Sequence, residues 1–195
     1  MNTPISSMTR FQAAAVAALV LLLAACAHKP PAVGENREQV LQTWGKPTAS
    51  YDLNGRAAPG LSGEPGTPPS GATERLEYAT GPFGRTTWMI DLDASGRVLG
   101  SRQVLNEARF MEVQQVVGLK SDDLLRMIGT PGERRAGGLA GGQVWSWRYP
   151  NNDCIWFQAS VADSGTVTSA GYGGDPMCDR GADFARGDRA RGAPR

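Results

Sequence analysis

The sequence predicts an α+β protein built as two tandem copies of one small unit, each a short helix or helices packed on a three-stranded antiparallel sheet. Three observations carry this. The stretch Gly118 to Pro131 repeats Gly34 to Pro47 at a constant offset of 84 positions: Gly, five residues, an apolar pair, two residues, an apolar residue, then Gly-x-Pro. Each copy of that stretch has a helical stripe. Each is followed by segments alternating at period two and closed by a Ser-Gly turn.

The start of the chain is of another kind. Arg10 is the only charged side chain before Cys26, and an apolar run, Ala13 to Leu23, leads to Leu23-Ala24-Ala25-Cys26. A charged start, a short apolar run and small residues form a secretory signal. The run is too short to span a bilayer comfortably. The last four residues resemble the bacterial lipobox, in which the Cys becomes the lipidated first residue. The competing reading is an ordinary signal whose cut happens to precede Cys26. Buried acyl chain contributes about 0.8 kcal/mol per methylene, and one chain alone holds weakly, so the two or three chains of such lipoproteins imply stable attachment. Ala27, rather than Asp, after Cys26 points to the periplasmic face of the outer membrane. The expected division is a signal at 1–25, a lipidated tether at 26–33 stiffened by Pro30-Pro31, units at 34–105 and 106–179, and a disordered tail at 180–195.

In the first unit, Asn36 with Gln39 forms a capping box. Val40, Leu41 and Trp44 form the stripe, Gly45 the left-handed stop, and Pro47 prevents resumption. Two turns cannot stand alone in water, so this helix must lie on a sheet. Residues 54–71 are mostly Gly, Pro, Ser and Ala. They read as a loop inserted in this copy, either a tolerated excursion or a partner-binding loop. Arg75 to Thr80, Thr86 to Leu92 and Arg97 to Leu105 read as strands, with Trp88, Ile90 and Leu92 on one face. Asp93 to Gly96 supplies hairpin-turn chemistry. Asp91-x-Asp93-x-Ser95-Gly96 imitates the start of a calcium loop, but its twelfth position is Arg102 where a bidentate acid is needed, so the hairpin reading is preferred.

The second unit opens with a helix from Asn106 to about Glu112, with Phe110 and Val113 inward and no counterpart in the first copy. Ser121 is expected to cap the repeated helix, whose stripe is Leu124, Leu125 and Ile128. Val144 to Tyr149 aligns with Arg75 to Tyr78, Tyr on Tyr, and Ile155 to Val161 aligns with Thr86 to Leu92. Trp145, Trp147 and Tyr149 alternate and share one face. That face either packs under the helices or is offered to a partner, since aromatics are enriched at interfaces. Once Cys26 is lipidated, Cys154 and Cys178 remain, and two cysteines in an oxidising compartment pair. The bond would close about 25 residues, worth ~3.5 kcal/mol in the chain-entropy account. A free redox pair is disfavoured because the spacing is not Cys-x-x-Cys.

Composition limits the chemistry. Without Arg10 the basic and acidic residues balance, leaving no field for nucleic acid. Histidine occurs once, at position 28. No nucleophile elbow, phosphate loop or zinc motif is present. Binding rather than catalysis is expected, with no cofactor and no small-molecule substrate.

The capped helix ending in Gly-x-Pro, a variable loop, and strands closed by an Asp-x-x-Gly-x-Val turn resemble the SmpA/OmlA (BamE-like) lipoprotein family. The matching residues are Gly118, Leu124, Leu125, Ile128, Gly129, Pro131, Trp147, Tyr149, Gly165 and Val167, with the same pattern over Gly34 to Val98. The resemblance implies two helices on a three-stranded antiparallel sheet. It also implies a non-enzymatic accessory role beside the machinery that assembles outer-membrane β-barrels. Tandem copies also resemble the β-lactamase inhibitory proteins. That implies the alternative of a lipid-anchored periplasmic inhibitor, which would expose its strand aromatics where a scaffold could bury them. A third reading is a structural envelope lipoprotein with no dedicated protein partner.

Overall fold

The computed structural model describes residues 29–54, 68–81, 84–137 and 141–178. The predicted signal, Cys26, most of the inserted loop and the tail lie outside the described residues. Among those described, no helix is long and apolar enough to cross a membrane.

Eleven elements follow in order: α1 (Arg37–Trp44), β1 (Ala49–Asp52), β2 (Glu74–Thr80), β3 (Thr86–Leu92), β4 (Val98–Gln103), α2 (Glu107–Gln115), α3 (Ser121–Ile128), β5 (Glu133–Ala136), β6 (Gln143–Trp147), β7 (Ile155–Val161) and β8 (Val167–Gly174). The fold is α+β with two antiparallel sheets, β1-β2-β3-β4 and β5-β6-β7-β8. Each sheet has one strand more than predicted. The additions, β1 (Ala-Ser-Tyr-Asp) and β5 (Glu-Arg-Arg-Ala), are four-residue edge strands. Their sequences carry no apolar alternation, and charged, short edges are how sheets resist pairing with other chains.

The repeat holds at the level of single hydrogen bonds. Val98 N–H donates to Glu35 O as Val167 N–H donates to Leu119 O, each at 2.8 Å. Arg37 N–H donates to Gly96 O as Ser121 N–H donates to Gly165 O. Both sheets shift register at the same place, at Asp91/Leu92 and at Ser160/Val161. From α1 to β1 the offset is 84, and from β3 onward it is 69. The first copy therefore carries the insertion between β1 and β2.

Two local expectations change. Tyr78 lies opposite Trp88, and the residue opposite Phe157 is Trp147. Tyr78 is thus equivalent to Trp147, two positions from the expected Tyr149. A two-residue slip keeps every side chain on its face, so period-two patterning could not detect it. Ser121 does not cap α3: the N-cap is Lys120, with no side-chain hydrogen bond, because the cap position equivalent to Asn36 falls one residue earlier, on a side chain with no acceptor. The Asn36–Gln39 capping box on α1 is present in both directions, at 2.8 and 2.9 Å.

The layers stack α1, first sheet, α2 with α3, second sheet. Val40 packs on Leu76, Tyr78, Ile90, Leu92 and Val98 beneath α1. Phe110, Val113, Leu124, Met127 and Ile128 pack on the second sheet. The far face of the first sheet meets α3 through polar groups. Arg75 donates to the Arg126 carbonyl at 2.6 Å, and Thr130 donates to Glu77 through its N–H (2.9 Å) and hydroxyl (3.1 Å).

Candidate interaction surfaces

Cys154 and Cys178 are joined as a disulfide, with Cα atoms 5.9 Å apart. It fixes the last described turn to the start of β7, where Asp175 N–H also donates to the Cys154 carbonyl at 2.8 Å. Beside it Arg148 grips the Asp175 carboxylate through Nε (2.6 Å) and Nη2 (2.9 Å). Burial pushes the Asp175 carboxyl up, but the Arg148 hydrogen bond, the Met177 N–H and the Arg148 charge outweigh it, so its pKa is held below the usual value.

Trp145, Trp147 and Tyr149, the aromatic face that could pack under the helices or be offered to a partner, are buried. They are 7%, 1% and 4% exposed and belong to the second core. Trp147 donates its indole N–H to the Gly129 carbonyl at 2.9 Å, and Tyr149 lies edge-on to Phe110 at 5.1 Å. The reason is topological: α2 and α3 need an apolar floor, and the inward face of β6 is that floor. Of the two readings of this face, packing under the helices holds.

No local pattern marks the charged groups between the first sheet and α2–α3. Asp91, fully buried, accepts from Arg75 at 2.6 and 3.0 Å and also pairs with Arg102. Arg109 pairs with Glu112. Burial lowers the pKa of both the Arg102 and Arg109 guanidiniums. Glu77, also fully buried, accepts from Tyr51 at 2.5 Å and from Thr130. Such networks cost much desolvation and persist when every member is satisfied. They join layers and leave no carboxylate pair facing a shared cleft. Asp93, by contrast, caps the hairpin turn, accepting from Ser95 and Arg97. Its pKa is lowered chiefly by the Ser95 hydroxyl. Asp91 and Asp93 therefore serve different environments. Among the described residues no group of three or more His, Cys, Asp or Glu side chains is placed to hold a metal.

Two features stand out on the surface of the described residues. One is the outer face of the second sheet, where Arg148 and Arg135 lie over the Trp156 ring at 4.7 and 5.2 Å. The side chain of Arg135 is half exposed and pairs with Glu133 at 3.2 Å. The other surface lies at β4. A cleft of about 350 Å³ opens there, between the end of β4 and the start of α2, lined by Ser101, Arg102, Gln103, Asn106 and Arg109. Its arginines are held by Asp91 and Glu112, and no nucleophile–base pair is among its lining residues.

No protein-family model matches the chain, and no match is found among curated proteins or solved structures.

Proposed function

We propose that this chain is a lipid-anchored, non-enzymatic protein-binding module of the SmpA/OmlA (BamE-like) type. In this reading it sits at the periplasmic face of the outer membrane and acts as an accessory in β-barrel assembly or envelope integrity. The observation that carries the reading is the junction of Leu23-Ala24-Ala25-Cys26 to a Pro-Pro tether that runs directly into the first repeat. Burial of Trp145, Trp147 and Tyr149 favours the scaffold over the inhibitor, which would need strand aromatics on its surface. The mutual pairing of the buried carboxylates and guanidiniums supports binding over catalysis.

Cell fractionation with labelled palmitate tests the anchor. The wild-type chain is expected in the outer-membrane fraction carrying label, and Cys26→Ser in the soluble periplasm without it. A Cys26→Ser protein that still sediments with membranes, or a wild type that takes up no label, overturns the proposal.

A further inference from the structure

The two repeats differ in one part. On the second sheet α2 lies beside α3: Phe110 stacks on Phe157, with centroids 4.2 Å apart and planes at 6°, and meets Tyr172 edge-on at 6.2 Å. Gln114 donates its side-chain amide to the Ala170 carbonyl at 3.2 Å. The equivalent positions on the first sheet, 69 residues earlier, are Trp88 for Phe157, Gln103 for Tyr172 and Ser101 for Ala170. Among the described residues no helix occupies the place of α2 there. The tether enters where that helix would end, since Pro31 accepts from the Ser101 hydroxyl at 2.8 Å. Trp88 meets Trp44 of α1 edge-on at 6.0 Å on one side. Phe157 is fully buried, whereas Trp88 is only partly so.

We propose that this position over the first sheet is the partner-binding site of the module. Its occupant is an amphipathic helix of two to three turns from another protein, laid beside α1 as α2 lies beside α3. The inference rests on the binding-module reading above. If Cys26 is the mature first residue, only residues 26–30 precede Pro31, which is too short for a stable helix, and Pro30 and Pro31 break one. The tether therefore cannot supply the helix. The second repeat states what the occupant needs. It must present an aromatic or long aliphatic side chain to Trp88, as Phe110 does to Phe157. It should also carry an amide donor toward β4, as Gln114 does toward β8. The flanking positions Thr80, Thr86, Ser101 and Gln103 are uncharged, so the docked face of the helix is uncharged too. Helix-in-groove recognition by spaced apolar anchors is a common mode.

Photoreactive residues at Thr86 and at Gln103 of the full lipidated protein, in living cells, test this, with Thr168 on β8 as a control. The expected result is a protein adduct at both positions. The adducts should map to one segment with apolar residues at helical spacing, and Trp88→Ala should reduce the Gln103 adduct at least tenfold. Because Trp88 also packs against α1, Thr86→Arg provides a second variant. It should reduce the Gln103 adduct similarly while leaving the thermal midpoint unchanged. Adducts only to lipid, only to other residues of the same chain, or none at either position overturn the inference. So does an adduct unaffected by Thr86→Arg. Protein adducts at Thr168 alone would overturn the site while leaving the binding-module reading standing. A Cys26→Ser protein that stays with the membrane would overturn the anchor and, with it, the argument that the residues before Pro31 cannot supply the helix.

Discussion

Tyr78 and Trp147 are equivalent residues that make the same bond with different chemistry. The Tyr78 hydroxyl donates to the Gly45 carbonyl at 3.0 Å, and the Trp147 indole donates to the Gly129 carbonyl at 2.9 Å. In each repeat the second strand of the sheet thus holds the stop of the helix above it. Tyr78→Phe removes only the hydroxyl and should cost about 1 kcal/mol. Trp147→Phe also leaves space in a close-packed core and should cost about 2–4 kcal/mol. Urea denaturation of both variants checks the order. Equal losses would mean that the hydrogen bond alone matters at both sites.

Gly45 and Gly129 have nearly the same backbone, φ 75° and ψ −157° against φ 82° and ψ −173°. Both lie in a region that is essentially glycine's own, and other residues there cost roughly 1–3 kcal/mol. Their surroundings differ. A Cβ on Gly45 meets nothing within 4 Å, whereas one on Gly129 would sit 2.8 Å from Thr87 Cγ2 and 3.1 Å from the Glu77 carboxylate. Gly129→Ala should therefore destabilise more than Gly45→Ala, by about 1–2 kcal/mol as the overpacking increment. Thermal melts of the two variants read the difference.

Asp91 receives two arginines in an interior it shares with no solvent. Asp91→Ala would leave Arg75 buried without its carboxylate, and breaking a buried pair in this way costs about 3–5 kcal/mol. The loss should appear in chemical denaturation and as earlier amide exchange in β2 and β3. The partly exposed pair Arg135–Glu133 is the comparison; because Glu133 also stands 3.8 Å from Arg148, the variant is Arg135→Gln, which should cost under about 1 kcal/mol.

Asp175 sets an acid limb. Its folded pKa lies below the unfolded value, so its contribution is complete above the unfolded carboxylate value of about 4 and is lost as pH falls through the folded pKa. Stability should fall below about pH 4 in the wild type, and this limb should be shallower in Asp175→Asn, which starts lower at neutral pH. Thermal midpoints from pH 2 to pH 7 measure it. Parallel curves would remove Asp175 from the account.

Reduction of Cys154–Cys178 should lower the thermal midpoint without unfolding the first repeat, because the bond closes only the end of the second. Chain entropy sets its value at about 3–4 kcal/mol. Thiol titration with a melt before and after reduction checks this, and free thiols before reduction would contradict the bond.

By itself the sequence determined the elements that local chemistry dictates. Asn36 and Gln39 cap α1 wherever it lies, Gly45 and Gly129 supply a backbone that other residues resist, and alternation puts Trp145 and Trp147 on one face. The offset of 84 announced two copies because the stop signal is local. The tertiary structure decided what no local pattern encodes. The edge strands β1 and β5 form because a neighbouring strand offers hydrogen bonds, not because their own residues alternate. The two-residue slip between Tyr149 and Trp147 was invisible at period two. Whether the aromatic face was floor or surface depended on where α2 and α3 came to rest. The Arg75–Arg126 and Glu77–Thr130 contacts join residues far apart in the chain, and only stacking the second repeat's helices on the first sheet brings them together. The unequal helix layers follow from the same cause: a proline-bearing tether enters where the second repeat has α2, and among the described residues no helix covers the face of Trp88 as α2 covers Phe157.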